Sequence, residues 1–394
     1  MSHNILMPRI MEIGGGALAR LPGVLAALDV ACPLIVTDRM MMELGYVERA
    51  AALLREAGMG WGIFADTVPE PTERSIMAGV EVMKRGLEDG RSYDAVIAIG
   101  GGSSIDSAKA IGVLAHFGGA IRDYRFPKQA ERAGLPVIAV PTTAGTGSEC
   151  TRFTVVTDDT GDEKMLCAGI GFMPTAAIVD YELSLSVPAR VTADTGIDAL
   201  THAIEAYVSR KANPFSDRQA LAAMDLIGPN LRTVYHQPGN RPAREAMMLG
   251  ASLAGLAFSS ASVALVHGMS RPIGAFFHVP HGLSNAMLLP AITRYSLGSA
   301  KARYATCART IGAANPANTD AAAVRLLMRE LNALNADLEV PSPADYGIRR
   351  DRWRGTLATM AEQALASGSP GNNPRVPSAA DIVDLYETVW WQTA

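Results

Sequence analysis

The stretch Ala95-Val96-Ile97-Ala98-Ile99-Gly100-Gly101-Gly102-Ser103-Ser104 determines the fold prediction. Its uninterrupted apolar run is typical of a strand buried on both faces of a parallel sheet. The glycines that follow allow a tight turn, and residues 104–116 then have the pattern of a helix. A strand, a glycine-rich turn and a helix in this order predict one unit of an α/β fold.

Similar units surround this stretch in the first part of the chain. The predicted strands are 32–38, 95–100, 135–141 and 176–180, and the predicted helices are 43–58, 73–88 and 104–116. Residues 154–159, followed by a turn that contains Gly161, predict a hairpin. We therefore expect residues 1–185 to form a Rossmann-like α/β domain whose parallel sheet is covered on both faces.

Strand patterns stop after Pro188, and apolar residues then recur with helical spacing. The predicted helices are 192–210, 216–232, 241–258, 318–334, 351–366 and 378–390. Prolines are expected to punctuate these helices at Pro214, Pro229, Pro238, Pro272, Pro280 and Pro290. Residues 186–394 are thus predicted to form an all-helical domain.

Composition excludes several classes of protein. The 394 residues are 48 % hydrophobic and 19 % charged with a net charge of −4, so neither disorder nor a basic nucleic-acid or membrane surface is indicated. The four cysteines form no CxxC pair, and the N-terminal residues lack the pattern of a secretory signal. We expect a reduced cytoplasmic enzyme with a small-molecule substrate.

Two polar loops follow predicted strands. Gly100, Gly101, Gly102 and Ser103 precede a helix that carries Asp106 and Lys109, and residues 141–149 form a second small-residue loop. Glycines allow a close backbone approach, and amides at a helix N-terminus suit a phosphate or pyrophosphate. One such loop alone is also compatible with a simple tight turn, but two at one sheet edge favour a nucleotide crevice.

Asp38 ends the first clear strand. A carboxylate at this place accepts hydrogen bonds from ribose hydroxyls and repels a 2′-phosphate. The sequence alone leaves a second interpretation open, in which Asp38 caps the following helix or lies in a solvated turn.

A metal-like pattern lies in the second half. Asp198 and His202 are four residues apart, which places them on one face of a mostly apolar helix. A mutual Asp–His hydrogen bond would explain this pair alone, but two further histidines change the interpretation. His267 lies in another apolar context, and His281 lies in a turn immediately before an apolar helix. One carboxylate and three imidazoles suit Fe(II), Zn(II) or Mn(II).

Taken together, these motifs resemble the iron-dependent (group III) alcohol dehydrogenase family, which includes lactaldehyde reductase/propanediol oxidoreductase and butanol dehydrogenases. The resemblance extends over essentially the whole chain. The motifs that carry it are Gly100–Ser103 with Asp106 and Lys109, Pro141–Glu149, Asp198–Glu205, His267-Gly268-Met269, Pro280-His281-Gly282 and Asn373-Pro374-Arg375.

The resemblance implies a metal-dependent, NAD-linked interconversion of a small primary alcohol and its aldehyde. It implies that Asp198, His202, His267 and His281 bind iron, with zinc as the alternative metal, and that Phe258 walls the substrate pocket. The implied dinucleotide site comprises Gly100–Ser103 at the pyrophosphate with Asp38, Asp106, Thr142, Thr143, Thr151 and Lys164 around it. Asp38 favours NAD over NADP, and the family implies a homodimer or a larger assembly.

One position departs from the family. Many members have His-Gly-Met-x-His, whereas this chain has His267-Gly268-Met269-Ser270-Arg271, and arginine cannot act as a base near neutral pH. Proton release then uses water, ribose hydroxyls or His278. Arg271 either holds an anionic aldehyde, such as a semialdehyde or a phosphono- or sulfo-aldehyde, or points elsewhere.

Two other classes remain at this point. A dehydroquinate-synthase-like lyase needs polar pocket residues that the apolar helices after residue 190 do not offer. A non-catalytic binding protein predicts broken ligands, whereas all four candidate ligands are present.

Overall fold

The computed structural model describes residues 3–159 and 164–390. The chain divides into two compact units, one from Ile5 to Val187 and a second that comprises the residues from Pro188 onward together with the N-terminal residues His3 and Asn4. Each is built from different elements. No single helix among the described residues is both long and apolar enough to cross a membrane, although the bent pair Arg241–Ala261 and Leu265–Phe277 meets those criteria when combined.

The first unit contains a six-stranded sheet whose neighbouring strands are all parallel, in the order β1-β8-β5-β4-β2-β3. Within the described residues, the strands of this unit are β1 Ile10–Ile13, β2 Pro33–Val36, β3 Gly62–Phe64, β4 Ala95–Gly100, β5 Val137–Pro141, β6 Phe153–Thr157, β7 Lys164–Ala168 and β8 Ala176–Val179. All six residues of β4 are buried, as an apolar strand covered on both faces requires. The predicted parallel α/β sheet is confirmed.

Strands β6 and β7 form a separate antiparallel pair, with Phe153 opposite Ala168 and Thr157 opposite Lys164. This is the predicted hairpin. Its predicted glycine-containing turn lies at 160–163, outside the described residues.

The α-helices that accompany the sheet in the part of the chain that the structure describes are α1 Leu21–Ala27, α2 Arg39–Glu43, α3 Tyr46–Glu56, α4 Glu73–Arg85 and α5 Gly102–Phe117. The single helix predicted over 43–58 is wrong at its start, because Gly45 adopts φ 74° between α2 and α3. A left-handed residue interrupts a helix, and glycine takes that conformation without steric cost. Two apolar clusters, on opposite faces of the sheet, include Ile111 of α5 and Leu54 of α3.

The strand order reverses between β2 and β4. From β2 the chain first moves outward to β3, and β4 then lies on the other side of β2. The segments that leave the carboxyl ends of β2 and β4 therefore diverge and leave a crevice, which is where open α/β sheets bind ligands.

The second unit is helical, and the described residues after Pro188 contain no strand. Its helices are α6 Ala189–Val208, α7 Pro214–His236, α8 Arg241–Ala261, α9 Leu265–Phe277, α10 His281–Ser296, α11 Lys301–Thr310, α12 Asp320–Asp337, α13 Arg350–Ala366 and α14 Ala379–Trp390. The predicted helical character is confirmed, and α10 corresponds to the apolar helix expected after His281, but α9 and α11 were missed.

Three prolines lie inside helices of this unit rather than at their ends. Pro229, Pro272 and Pro290 lie inside α7, α9 and α10, so the expectation that these three prolines punctuate the helices is wrong. A proline inside a helix costs about 3 kcal/mol because a hydrogen bond is lost. Burial offsets this cost here, since most residues of α9 and α10 are inaccessible to solvent.

A buried polar network joins α5 to the segment before β6. The Lys109 side chain is fully buried, and its Nζ donates to Ser148 Oγ (2.7 Å), Thr151 Oγ1 (3.1 Å) and the Phe153 carbonyl (2.8 Å). Asp106 accepts from Ser148 Oγ at 2.5 Å and from the Val155 amide at 2.9 Å. Burial lowers the pKa of Lys109 to about 8 and raises the pKa of Asp106, although the lysine partly offsets the latter.

Lys109→Met should destabilise this unit, because Asp106 then remains in a largely buried place without its cation. We expect a loss of about 3–5 kcal/mol, or roughly 10 °C in apparent Tm. Without Lys109 the pKa of Asp106 rises further above its unfolded value, so protonation favours the folded variant. The Tm deficit should therefore be smaller at pH 5 than at pH 8.

The matched control is Lys84→Met, because Lys84 is exposed and its nearest carboxylate, Glu81, is 3.8 Å away. This change should alter stability by no more than about 0.5 kcal/mol. The Tm of the unaltered protein and of both variants is measured by thermal unfolding at pH 5 and pH 8. Equal stability of the Lys109→Met and Lys84→Met variants would contradict the role of the buried pair.

Candidate metal centre and dinucleotide-binding edge

Asp198 and His202 lie one turn apart on α6. Residues 196–208 of this helix are all buried, so both polar side chains are enclosed by apolar neighbours. His202 Nε2 is 3.8 Å from Asp198 Oδ1. A buried carboxylate is stable only if positive charge or hydrogen bonds compensate it.

His267 and His281 complete a cluster around that carboxylate. His267 Nε2 lies 3.4 Å and His281 Nε2 lies 3.8 Å from Asp198 Oδ1. One donor atom from each of the four residues Asp198, His202, His267 and His281 falls within 4.8 Å of the others. Sequence reasoning predicted this set, and the structure brings all four together.

A close helix contact positions His281. The sequence suggested a turn before a helix, whereas His281 is the first residue of α10 and Pro280 is the N-cap. A Cβ on the adjacent Gly282 would lie 2.4 Å from the carbonyl oxygen of Asp194 on α6. The absence of a side chain at Gly282 therefore lets the start of α10 approach α6, one turn before Asp198.

Glu205 fixes the orientation of His267. Its Oε2 lies 2.7 Å from His267 Nδ1, and its two oxygens also accept from the amides of Ala264 (2.8 Å) and Val266 (2.6 Å). The imidazole donates from Nδ1, which leaves Nε2 with a lone pair toward the cluster. Sequence reasoning quoted Glu205 but gave it no role; a carboxylate on a buried apolar helix was the available signal.

Asn285 is a second residue that sequence reasoning missed. Its Nδ2 donates to Asp198 Oδ1 at 2.6 Å and lies 3.1 Å from His267 Nε2 and 3.2 Å from His281 Nε2. The carboxylate acceptor identifies this end of the amide as the NH₂ group. An NH₂ group has two hydrogens, so in addition to Asp198 it can donate to one of these two Nε2 atoms and hold that nitrogen in the acceptor form in which imidazole binds metals. Its position four residues after His281 was the signal.

The electrostatics of the cluster favour a cation. Burial alone would raise the pKa of Asp198, but the imidazoles of His202, His281 and His267 hold it well below its usual range. Burial opposes the charged form of His267, whereas Asp198 and Glu205 raise its pKa. One carboxylate and three imidazoles that converge in this way form a donor set that suits Fe(II) or Zn(II).

Phe258 of α8 lies directly beside this cluster. Its ring stacks on His202 with centroids 4.2 Å apart and planes inclined by 17°, and His202 in turn stacks on His267 at 4.4 Å. The predicted pocket residue therefore contacts one of the candidate metal ligands.

Arg271 lies one turn after His267 on α9 and donates from Nη1 to Ser369 Oγ at 3.0 Å. His278 is exposed and lies at the C-terminal end of α9 with φ 54°. Among the described residues, the group of four converging donors does not include His278.

In the first unit, predicted dinucleotide-binding residues meet at the carboxyl edge of the sheet. Asp38 caps α2 by accepting from the Met41 amide (3.1 Å), and it also accepts from Ser104 Oγ (3.2 Å). Gly100 has φ 151°, and a Cβ there would lie 2.6 Å from Ser104 Oγ and 3.4 Å from Asp38 Oδ2. The turn therefore requires glycine. Asp38 is therefore the N-cap of α2, as the capping interpretation predicts, and its role in ribose recognition stays a prediction.

The second polar loop lies next to this turn. The Thr142 amide donates to the Gly100 carbonyl at 3.0 Å, and a Cβ on Gly101 would lie 3.5 Å from the Thr143 side chain. Gly102 is the first residue of α5, so the amides of that helix start point to the same edge.

Three other predicted cofactor residues have partners inside the protein. Asp106 and Thr151 belong to the buried network around Lys109. Lys164 pairs with Glu70 at 2.5 Å, and the Glu70 amide donates to Ser103 Oγ at 3.2 Å. Lys164 is therefore connected to the glycine-rich turn through Glu70. Asp106 and Thr151 instead contact Ser148, which lies in the second polar loop, and Lys109.

Comparison with known proteins agrees with this arrangement. The family model for iron-containing alcohol dehydrogenase matches residues 8–181, and the model for the C-terminal part of the Fe-containing alcohol dehydrogenase family matches 192–390. The chain is 36 % identical to the NAD-dependent methanol dehydrogenase of Bacillus methanolicus (98 % of this chain, 99 % of the relative) and 34 % identical to lactaldehyde reductase of Escherichia coli K12 (99 % and 100 %).

A solved structure of 1,3-propanediol oxidoreductase is similar over 99 % of this chain and 100 % of its own, with a TM-score of 0.92 and 32 % identity. Family models thus match both units, and the relatives and the solved structure are similar over nearly their full length. The chain belongs to the iron-containing alcohol dehydrogenase family.

Proposed function

We propose that this protein is a metal-dependent, NAD-linked oxidoreductase that interconverts a small primary alcohol and its aldehyde. In the oxidative direction, the alcohol and NAD⁺ give the aldehyde, NADH and a proton. The observation that carries the proposal is the convergence of donor atoms from Asp198, His202, His267 and His281 within 4.8 Å. The methanol dehydrogenase and lactaldehyde reductase relatives support this reaction class.

The same four residues are the proposed ligands, and iron is the first choice of metal with zinc as the alternative. When bound, such an ion supplies Lewis-acid polarisation of the substrate oxygen. The protein's own contribution is to hold the donors. Glu205 keeps His267 in the tautomer that leaves Nε2 available, and Asn285 orients Asp198 through a 2.6 Å hydrogen bond.

Phe258 is the proposed wall of the substrate pocket, because its ring lies against His202. Arg271 stays protonated near neutral pH and does not take up the alcohol proton. That proton leaves through water, a ribose hydroxyl or the exposed His278.

The first unit is the proposed dinucleotide-binding domain, and the helical unit is the proposed metal-binding domain. Gly100–Ser103 at the start of α5 suit the pyrophosphate, and Asp38 suits the ribose hydroxyls. Both lie where the strand order reverses, which supports this assignment. A carboxylate there repels a 2′-phosphate, so we propose NAD rather than NADP.

A cytoplasmic homodimer or larger homo-oligomer is the proposed form of the enzyme. All four cysteines are buried and no disulfide joins them, which is compatible with a reducing compartment. Light scattering of the purified protein measures the oligomeric state.

Removal of the metal should abolish aldehyde reduction, and Fe(II) or Zn(II) added back anaerobically should restore it. His267→Ala removes one donor atom and should weaken metal binding by at least about 100-fold. This exceeds the loss of about 10- to 100-fold that is usual for a residue that only hydrogen-bonds to a ligand. Metal content and NADH oxidation are measured in parallel. The control is His236→Ala, since His236 is exposed at the end of α7. Full activity of the metal-free protein would refute the proposal.

Glu205→Gln should weaken metal binding by about 10- to 100-fold, because the replacement has no negative charge to orient and polarise His267. Competition with a chromophoric chelator measures this affinity without any turnover. Glu245→Gln, at an exposed position of α8, is the matched control and should bind metal as the unaltered protein does. Equal affinities of the two variants would show that Glu205 has no such role.

Asp38→Ser tests coenzyme choice, because serine retains an oxygen that can cap α2 but removes the negative charge. We expect the kcat/KM ratio of NADPH to NADH to rise by about 10-fold or more. Asp89→Ser, in an exposed ion pair with Arg91, serves as the control and should leave the ratio unchanged. An unchanged ratio in Asp38→Ser would place the source of NAD preference elsewhere.

A further inference from the structure

Arg271 carries a charge that the protein does not neutralise. Within the described residues, its guanidinium makes one hydrogen bond, to Ser369 Oγ, and no salt bridge. A guanidinium has five N–H donors. Four of them therefore have no protein partner in that part of the chain, and none of its nitrogens is among the sealed, unpartnered polar atoms. Nε and Nη2, the two nitrogens without a partner among the described residues, are therefore not sealed from solvent, and their three N–H donors can reach a ligand.

Glu205, the acid that acts electrostatically on Arg271, does not serve as its counter-ion. Burial lowers the pKa of Arg271 to about 10, and the Glu205 carboxylate only partly opposes this shift. The two oxygens of Glu205 already accept from Ala264, Val266 and His267. A largely buried cation without a counter-ion is costly, and an anionic ligand would remove that cost.

Packing of the segment around Ser369 against α9 fixes the position of the guanidinium. A Cβ on Gly268 would lie 2.7 Å from Pro370, so the glycine lets the segment around Ser369 pack closely against α9. Ser369 is 4 % exposed and holds one side of the guanidinium. The other nitrogens remain available as a planar fork, which suits an oxyanion better than a point charge does.

Arg271 is four residues after His267, so the two side chains share one face of α9 with Cβ atoms about 5–6 Å apart. Helical side chains lean toward the N-terminus, which directs Arg271 toward the turn that carries His267. A ligand with its oxygen at the four-donor cluster therefore has a guanidinium within reach of its other end.

We propose that Arg271 is a specificity-determining residue that selects short aldehydes whose far end is an oxyanion, namely a carboxylate, sulfonate or phosphonate. This inference rests on the proposed function, because the aldehyde end must react at the candidate metal site. The guanidinium pairs with the oxyanion through two parallel N–H···O hydrogen bonds. The same contact also discriminates against aldehydes of similar length that end in a methyl group.

The test compares matched substrates with the metal-loaded enzyme at saturating NADH. Butanal and 4-oxobutanoate have the same chain length but differ in charge, and propanal and sulfoacetaldehyde form the corresponding sulfonate pair. In Arg271→Gln, the kcat/KM ratio of anionic to neutral substrate should fall by about 10- to 100-fold. Arg271→Lys should give an intermediate ratio, because it keeps the charge without the fork.

The matched control is Arg354→Gln, an exposed residue of α13 that pairs with Glu387, and its ratio should equal that of the unaltered enzyme. A second readout needs no turnover. Calorimetry with butanoate on the metal- and NAD⁺-loaded protein should show binding that Arg271→Gln weakens by at least about 10-fold.

The outcomes are distinct. If the enzyme reduces neither member of a pair, the proposed function fails and the substrate inference with it. If butanal is reduced but Arg271→Gln leaves the ratio unchanged, only the role of Arg271 is overturned. If Arg271→Gln raises the KM for NADH by the same factor with the neutral and with the anionic substrate, Arg271 acts on the coenzyme. That result likewise overturns the inference. Carboxylate and sulfonate arms that respond differently identify which oxyanion the fork prefers.

Discussion

The helical unit depends on the burial of one carboxylate. Asp198 lies inside α6, where an unpaired charge would be unstable, and its environment is arranged to compensate it. Side chains from three directions approach it: His202 from its own helix, His267 from α9 and His281 with Asn285 from α10. The same arrangement that stabilises the carboxylate in the folded chain also concentrates imidazole nitrogens around it.

Glu205 connects this cluster to the backbone. It accepts from the amides of Ala264 and Val266, which lie at the start of α9 and have no intrahelical acceptor. One carboxylate thus caps α9 and orients His267 by a third hydrogen bond. The ring orientation of a candidate ligand is therefore tied to the position at which its helix begins, so the geometry does not depend on a side-chain contact alone.

Sequence patterns were sufficient for the features that depend on local spacing. The apolar strand before Gly100 predicted the parallel sheet, and the four-residue interval predicted that Asp198 and His202 share a helix face. The four donors predicted together do lie together, while their role as ligands stays a prediction. Proline was misleading in the helical unit, because burial overrides its local cost at Pro272 and Pro290.

Contacts between distant segments were not predictable from spacing. Arg271 was singled out from the sequence, but its partner Ser369 is 98 residues away. Glu205 and Asn285 were visible as polar residues in apolar helices, yet only the packing of α9 and α10 against α6 shows which atoms they contact. Sequence spacing fixes which residues share an element, whereas helix packing decides which elements meet.

Phe258 belongs to a different helix from the donors that it adjoins. The four converging donors of the described chain come from α6, α9 and α10, whereas the aromatic ring that stacks on His202 comes from α8. Substitutions along α8 can therefore reshape the space beside His202 without altering the set of donor atoms. Protein engineering could therefore vary the shape of this space through α8 alone and leave every donor-bearing residue as it is.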